Sequence, residues 1–257
     1  MKTNSQKYSI KIAWLYPELM NTYGDRGNII VLQKRCEWRD VDVVIENISI
    51  DSDLALLETC DLIFMGGAQD TQQEIVNDDL FTKKGKLLKE KIENNTPGLF
   101  ICGAYQFLGK YYKTADDKRL TGLGIFPCFT ENPGDNTPRL IGNVTATLAN
   151  SQFNLTNLSL VGFENHGGRT YLEDQSQAFA HIQKGFGNNG KDLTEGIMYK
   201  NAIGSYLHGP ILPKNPELAD WLIQKAIELK YDVRITLNAL EDKLENKAKM
   251  RALNPER

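Results

Sequence analysis

Over residues 8–115, β-rich apolar stretches alternate with helical ones, and this alternation limits the fold more than any other feature of the chain. "YSIKIAWLYP" (8–17) reads as a first strand closed by Pro17. In "GDRGNIIVLQKRCEWRD", Ile29, Ile30, Val31, Leu32 and Cys36 form a partly apolar helix, with Gly24 and Gly27 in the turn leading in. "VDVVIENISI" is a second strand, a short acidic helix lies near "DSDLALLETC", and "DLIFMGG" (61–67) is a third strand ending on two glycines. "NDDLFTKKGKLLKEKIENNTPG" predicts an amphipathic helix that stops before Pro97 and Gly98. "LFIC" is then a fourth strand and "AYQFLGKYY" a helix directly after it. Such alternation predicts an α/β, flavodoxin-like or Rossmann-like three-layer fold with a mostly parallel central sheet covered on both faces. Ligands of these folds sit outside the carboxyl ends of the strands, which directs attention to residues 16–25, 66–70 and 102–106.

The second half differs. "GIFPCF", "RLIGNVTATLA", "LSLVGFENHGG", "FAHIQKG" and "EGIMYKNAIGSYLHG" are β-rich pieces divided by Gly, Asn and Pro turns, expected to extend or decorate the same sheet. Helices are expected over about 214–252, from "NPELADWLIQKAIELKYD" and "VRITLNALEDKLENKAKMRAL". Their mixed charges suit a solvated face with an apolar docking stripe, or else a partner-binding surface. Neither a linker nor a repeat interrupts residues 1–257, so one domain is expected.

A formal net charge of −3 gives no basic footprint for nucleic acid. The N-terminus lacks a signal-peptide apolar region and no apolar run reaches membrane-spanning length, which predicts a cytoplasmic protein that does not span a membrane. Cys36, Cys60, Cys102 and Cys128 stand apart without a C-x-x-C pair, as reduced thiols rather than a zinc or redox motif.

Cys102 has the most distinctive surroundings of the four. If "LFIC" is a strand and "GAYQFLG" opens a helix, Cys102 occupies the strand-to-helix turn, where unpaired N–H groups and the helix dipole favour a thiolate. The N–H of Gly103 would follow the nucleophile, in a position to stabilise an oxyanion. A second donor could come from "MGGAQD" (65–70), which equally suits a plain βα turn. For a general base there are three histidines. His181 lies in an alternating stretch and reads as structural, whereas His166 and His208 each follow a β-rich run in a glycine turn, and spacing does not choose between them. At this level Cys102 is either a packed thiol or a nucleophile.

Four segments taken together, "FICGAYQFLG", "MGGAQD", "GFENHGGRTYL" and "GSYLHGPILPKNP", resemble class I glutamine amidotransferases of the cobyric-acid-synthase-like branch. Within that branch the likeness is to the glutaminase subunits of lipid II isoglutaminyl synthases. The resemblance implies that Cys102 attacks the side-chain amide of L-glutamine, with His208 as base and then acid. It assigns the oxyanion hole to Gly103 and to backbone groups around Gly67. Gln106 would line the glutamine pocket, and Arg139, in "TPRLIGN", would grip the α-carboxylate. Without the resemblance, Arg139 reads as a surface residue at the start of a strand. The family further implies that ammonia passes to a MurT-like Mur-ligase subunit in a heterodimer, which uses ATP and Mg to amidate the D-glutamate of lipid II. No metal and no cofactor is expected on this chain itself, which lacks a G-x-x-x-x-G-K-[ST] sequence.

Two departures from the family pattern bear on mechanism. The usual G-x-C-x-G elbow is "FICGA" here, with Phe100 and Ala104 at the glycine positions. The glutamate usually found two residues after the histidine is replaced by Pro210, so the group that orients His208 is expected to be Glu164 or a carboxylate of the partner. "NTYGDRGN" follows the first strand at the ligand end, either near the active site or partner interface or as a simple turn. Other cysteine hydrolases of the same fold, or a silent scaffolding subunit, are the competing readings.

Overall fold

A computed structural model describes residues 7–68, 70–134, 136–149, 153 and 158–254. Gln69 of "MGGAQD" and the first six residues of the N-terminal reading lie outside that set. The expected alternation is present as β1 (Ser9–Leu15), α1 (Arg26–Glu37), β2 (Asp42–Ile48), α2 (Leu54–Glu58), β3 (Leu62–Met65), α3 (Asp70–Asp79), α4 (Gly85–Glu93), β4 (Gly98–Ile101) and α5 (Gly103–Leu108). With β13 (Ile197–Tyr199) and β14 (Ala202–Ser205), the strands form a six-stranded sheet in the order β13-β14-β4-β3-β1-β2. All its pairs are parallel except β13 with β14.

β3 and β4 are buried at every residue, as unbroken apolar runs must be when helices cover both faces. The chain moves outward from β1 to β2, then crosses back to β3 on the other side of β1, so the sheet reverses direction between β1 and β3. Loops on either side of such a reversal open a crevice at the carboxyl ends. One strand further, Ser205 lies in register with Ile101, so the residues that follow β4 and β14 emerge side by side.

Two expectations for this half of the chain change. The helix placed at residues 77–98 starts at Asp70 and carries a π turn over Leu80–Lys84 before α4. That turn lets the buried Lys84 ammonium reach Asp79, whose carboxylate also accepts from the Tyr16 hydroxyl at 2.9 Å. The helix after β4 ends at Leu108 because Gly109 presses on the Cys128 carbonyl, 3.1 Å from where a Cβ would stand. Residues 111–113 form a strand, β5 (Tyr111–Lys113), instead.

Most β-rich pieces of the second half do not join the central sheet, whose edge beyond β14 is already taken by antiparallel β13. β5, β6 (Arg119–Thr121), β7 (Cys128–Glu131) and β10 (Arg169–Leu172) form one four-stranded sheet. β8 (Leu140–Leu148), β9 (Ser159–His166), β11 (Ala180–Lys184) and β12 (Thr194–Glu195) form another. β8 and β9 pair antiparallel from Leu140↔His166 to Thr147↔Ser159, which carries His166 and its neighbours to the crevice.

At the C-terminus, α6 (Pro216–Tyr231) buries Leu218, Ala219, Trp221, Leu222 and Ile223, the docking-stripe reading of that segment. Its end at left-handed Asp232 is followed by a non-helical stretch, so the second helix, α7 (Lys243–Leu253), is shorter than expected. β-branched Val233, Ile235 and Thr236 favour extended chain there, and Ile235 packs against the core. Fully buried Arg35 on α1 fastens both parts through Asp220 and Asp242, each at 2.6 Å.

Candidate active site

Cys102 closes β4 with φ 52° and ψ −104°, a left-handed backbone that is strained for any residue but glycine. Its N–H donates to the Ser205 carbonyl at 2.8 Å, which ties the turn to the end of β14. Ser205 is held in turn by Glu195: one carboxylate oxygen of this fully buried residue accepts from the Ser205 hydroxyl at 2.7 Å and the Tyr206 N–H at 2.9 Å. The side chains at Phe100 and Ala104, where the family has glycines, are accommodated within the core, both at 0% exposure.

Cys102 differs from the other three cysteines in access. Cys36, Cys60 and Cys128 sit in the core, where burial pushes each thiol up to about 12. Cys102 instead lines a polar pocket of about 210 Å³ that also takes in Tyr23, Gln106, Arg139, His166 and His208. The structure thus brings Cys102, Gln106, Arg139 and both candidate histidines to one pocket, whereas Glu164 is not among its lining residues.

Of the two histidines, His208 stands at the nucleophile. A Cβ built on Gly67 would lie 2.8 Å from His208 Cε1 and 3.2 Å from Cys102 Cβ, so this glycine is what permits the pair to meet. Nδ1 of His208 faces Asp25 Oδ1 at 3.4 Å, and both residues are fully buried. Burial alone would lower the ring's proton affinity, but the pull of Cys102 and of Asp25 outweighs it and pushes His208 up to about 10. Nε2 is buried without a hydrogen-bond partner of ordinary geometry among the described residues.

Glu164, one of the two expected orienting acids, does not occupy that position. Glu164 is spent elsewhere: its two carboxylate oxygens accept from the N–H groups of Phe186 at 2.7 Å and Gly187 at 2.8 Å. The histidine near it is His166, at 3.7 Å. Asp25, inside "NTYGDRGN", fills the role within this chain. Its other oxygen accepts the Gly67 N–H at 2.8 Å, which fixes the carboxylate.

The glycine spacing of that motif now has a physical reason. Gly24 takes a left-handed φ of 79°, and a Cβ on Gly27 would lie 2.3 Å from Pro210 Cγ. Asn28 then accepts the Leu212 N–H at 3.0 Å. The start of α1 is therefore docked on "HGPIL", the segment that carries His208. Sequence reasoning missed Asp25 because the acid comes from a loop 183 residues away; the glycine pair after the first strand was the available signal.

Other assignments are refined. Gly67 gives its N–H to Asp25; Gly103 is first in α5 and without an intrahelical acceptor, and the Ala68 nitrogen lies 3.4 Å from a Cβ built on Gly103. Gln106 is buried and donates to the Tyr206 hydroxyl at 3.2 Å. Exposed Arg139 donates from Nε to Asn165 Oδ1 and from Nη2 to the Asn165 carbonyl, both at 2.9 Å. His166 stacks flat on Tyr206 at 3.6 Å and pairs through Nδ1 with the Gly168 carbonyl at 2.7 Å, and burial lowers its proton affinity. A strained cysteine lining a pocket beside a histidine backed by aspartate supplies parts of an acyl-transfer site.

Comparison with known proteins decides the kinship: residues 11–216 match the CobB/CobQ-like glutamine amidotransferase domain. The chain belongs to this family. Among its relatives, subunit GatD of the glutamine-hydrolysing lipid II isoglutaminyl synthase of Staphylococcus aureus (strain N315) is 43% identical over 223 residues, 87% of this chain and 86% of that one. The corresponding subunit of Streptococcus pneumoniae (strain R6) is 41% identical over 241 residues, 94% and 89% of the two chains. A probable cobyric acid synthase of Methanococcus maripaludis (strain C5) is a more distant relative, 29% identical over 76% of this chain and 39% of its own length. In fold, this amidotransferase-family chain is similar to PurLQS of Thermotoga maritima, with a TM-score of 0.52 at 14% identity over 88% of this chain and 100% of the other. A glutamine amidotransferase of the same organism aligns with a TM-score of 0.50 at 16% identity, over 95% and 94%. No described helix is long and apolar enough to cross a membrane.

Proposed function

We propose that this chain is the glutaminase subunit of a lipid II isoglutaminyl synthase. Cys102, as the thiolate of a Cys102–His208 ion pair, attacks the side-chain amide carbon of L-glutamine. The oxyanion that develops is stabilised by the N–H groups of Gly103 and Ala68. As the tetrahedral adduct collapses, the carbon–nitrogen bond breaks and the His208 imidazolium gives its proton to the departing ammonia. A γ-glutamyl thioester remains. Neutral His208 next takes a proton from water, the hydroxide displaces the thiolate, and glutamate leaves. Asp25 keeps the imidazole oriented and its cation stable in both halves of the cycle. Arg139 holds the substrate α-carboxylate, and Gln106 lines the pocket.

Ammonia is consumed by an ATP- and Mg-dependent, MurT-like Mur-ligase partner that amidates the D-glutamate of lipid II to D-isoglutamine. The observation that carries the catalytic reading is Cys102, strained and pocket-lining, beside a histidine backed by Asp25. What supports the acceptor is the likeness to the two GatD subunits over most of both chains.

Diazo-oxo-norleucine, an electrophilic glutamine mimic, is expected to inactivate the protein with one adduct, mapped by mass spectrometry to Cys102. An adduct on Cys36, Cys60 or Cys128 instead would overturn the assignment. For the partner, the expected result is co-purification of a Mur-ligase-like protein whose ATP-dependent amidation of lipid II stops in Cys102→Ala and returns with added ammonia.

A further inference from the structure

Tyr23 bridges the two ends of the pocket, and nothing in the thioester chemistry uses it. Its backbone is held at φ 56° and ψ 25°, a left-handed conformation that is strained for a tyrosine. The ring stands edge-on to His208 at 5.0 Å, yet the residue is 46% exposed at the mouth of the pocket. Its hydroxyl accepts a hydrogen bond from Asn165 Nδ2 at 2.7 Å. The amide orientation of Asn165 is thereby fixed from both sides, because its oxygen must face the Arg139 Nε donor at 2.9 Å while its nitrogen needs an acceptor.

An exposed arginine has wide rotamer freedom, and anything that grips a ligand with it must first remove that freedom. Two hydrogen bonds from one residue, Asn165, do so for Arg139, and Tyr23 holds Asn165. Nη1 takes part in neither bond and lies over Gly167, 3.4 Å from where a Cβ would be. All three side chains line the same pocket as Cys102.

We infer that Tyr23 is a positioning residue for substrate binding, which acts through Asn165 to hold Arg139 ready for the α-carboxylate of glutamine. The inference rests on the reading of Arg139 given above. Since Tyr23 lies two residues before Asp25, the loop that backs the catalytic histidine also braces the carboxylate clamp. The strained backbone is what turns one side chain toward the clamp while the next but one faces His208.

Two electrophiles separate the roles. Diazo-oxo-norleucine carries the α-amino acid end; iodoacetamide reports only the reactivity of Cys102. In the full-length protein, Tyr23→Phe removes the acceptor but keeps the ring beside His208. It is expected to raise the half-saturating concentration of diazo-oxo-norleucine about five-fold, the worth of one hydrogen bond, with the maximal inactivation rate retained. The iodoacetamide rate should stay at the wild-type value. Asn165→Ala should reproduce the effect, and adding Tyr23→Phe to it should change nothing more, as expected of two links in one chain. An unchanged half-saturation in Tyr23→Phe would overturn the inference while leaving the Arg139 reading intact, provided Arg139→Ala weakens saturation roughly ten-fold or more. A parallel fall in the iodoacetamide rate would also overturn it, by showing that Tyr23 acts on the nucleophile. If Arg139→Ala itself has no effect, the carboxylate reading fails and the inference with it.

Discussion

Two buried histidines line one pocket, each with a carboxylate within 4 Å, and their surroundings set them to opposite tasks. His208 faces Asp25 at 3.4 Å and is pushed up, whereas His166 faces Glu164 at 3.7 Å and is pushed down. The distances hardly differ; the other bonds of the acids do. Asp25 accepts one backbone N–H, from Gly67, on the oxygen that does not face His208. Burial lowers His166, and Glu164, whose two oxygens also accept the N–H groups of Phe186 and Gly187, does not raise it enough to overcome that. His208 also feels the Cys102 thiolate, while His166 lies flat against Tyr206 and gives its Nδ1 contact to a carbonyl. Proximity of histidine to carboxylate is therefore a poor guide to a catalytic base; the charge of all that faces the ring, Cys102 first, set against its burial, is a better one.

Substituting the two rings sharpens this contrast most. His208→Asn should lower the glutaminase kcat by about 1000-fold, the scale of lost acid–base catalysis, whereas His166→Asn should cost less than roughly ten-fold. Steady-state ammonia release with the partner subunit present checks both. Equal losses would erase the distinction between the two corners.

Exchanging the acids comes next in size. Asp25→Asn keeps an acceptor for Gly67 but removes the charge beside His208, and should lower kcat by about 100-fold with thermal stability nearly retained. Glu164→Gln should do the reverse. Its folded protein should keep kcat within a few-fold, while stability falls by about 1–3 kcal/mol because two buried N–H groups lose an anionic acceptor. Activity and denaturant unfolding measured on the same preparations decide it, and a kcat loss confined to Glu164→Gln would reverse the assignment.

How far the sequence reached differs between the halves of the chain for the same kind of reason. β1, β3 and β4 were legible because each is a short apolar run closed by Pro or Gly next to a helical segment, and β2 by its β-rich alternation, and a parallel sheet follows from local pattern alone. The β-rich pieces were legible as strands but not as sheets. Nothing local distinguishes β14, which joins β4, from β11, which pairs with β8. In the site, Cys102 was visible through its strand-turn-helix setting, and His208 through family resemblance. Asp25 was not, because its partner is set by the docking of Gly27 on Pro210 and of Asn28 on Leu212. Glu164 was a reasonable candidate on sequence; only the loop at Phe186 and Gly187 disqualifies it.

That Asp25, within this chain, is the acid behind His208 is tested most directly by the pH dependence of kcat/KM for glutamine. His208 must hold a proton for departing ammonia, and with its affinity pushed up to about 10 that proton is retained at neutral pH and lost only on the alkaline side. Asp25→Asn removes an anion that favours the imidazolium, so the alkaline limb should move to lower pH, by about one unit or more. Glu164→Gln should leave it where it is in the wild type. An alkaline limb that stays fixed in Asp25→Asn, or that moves in Glu164→Gln instead, would contradict the account.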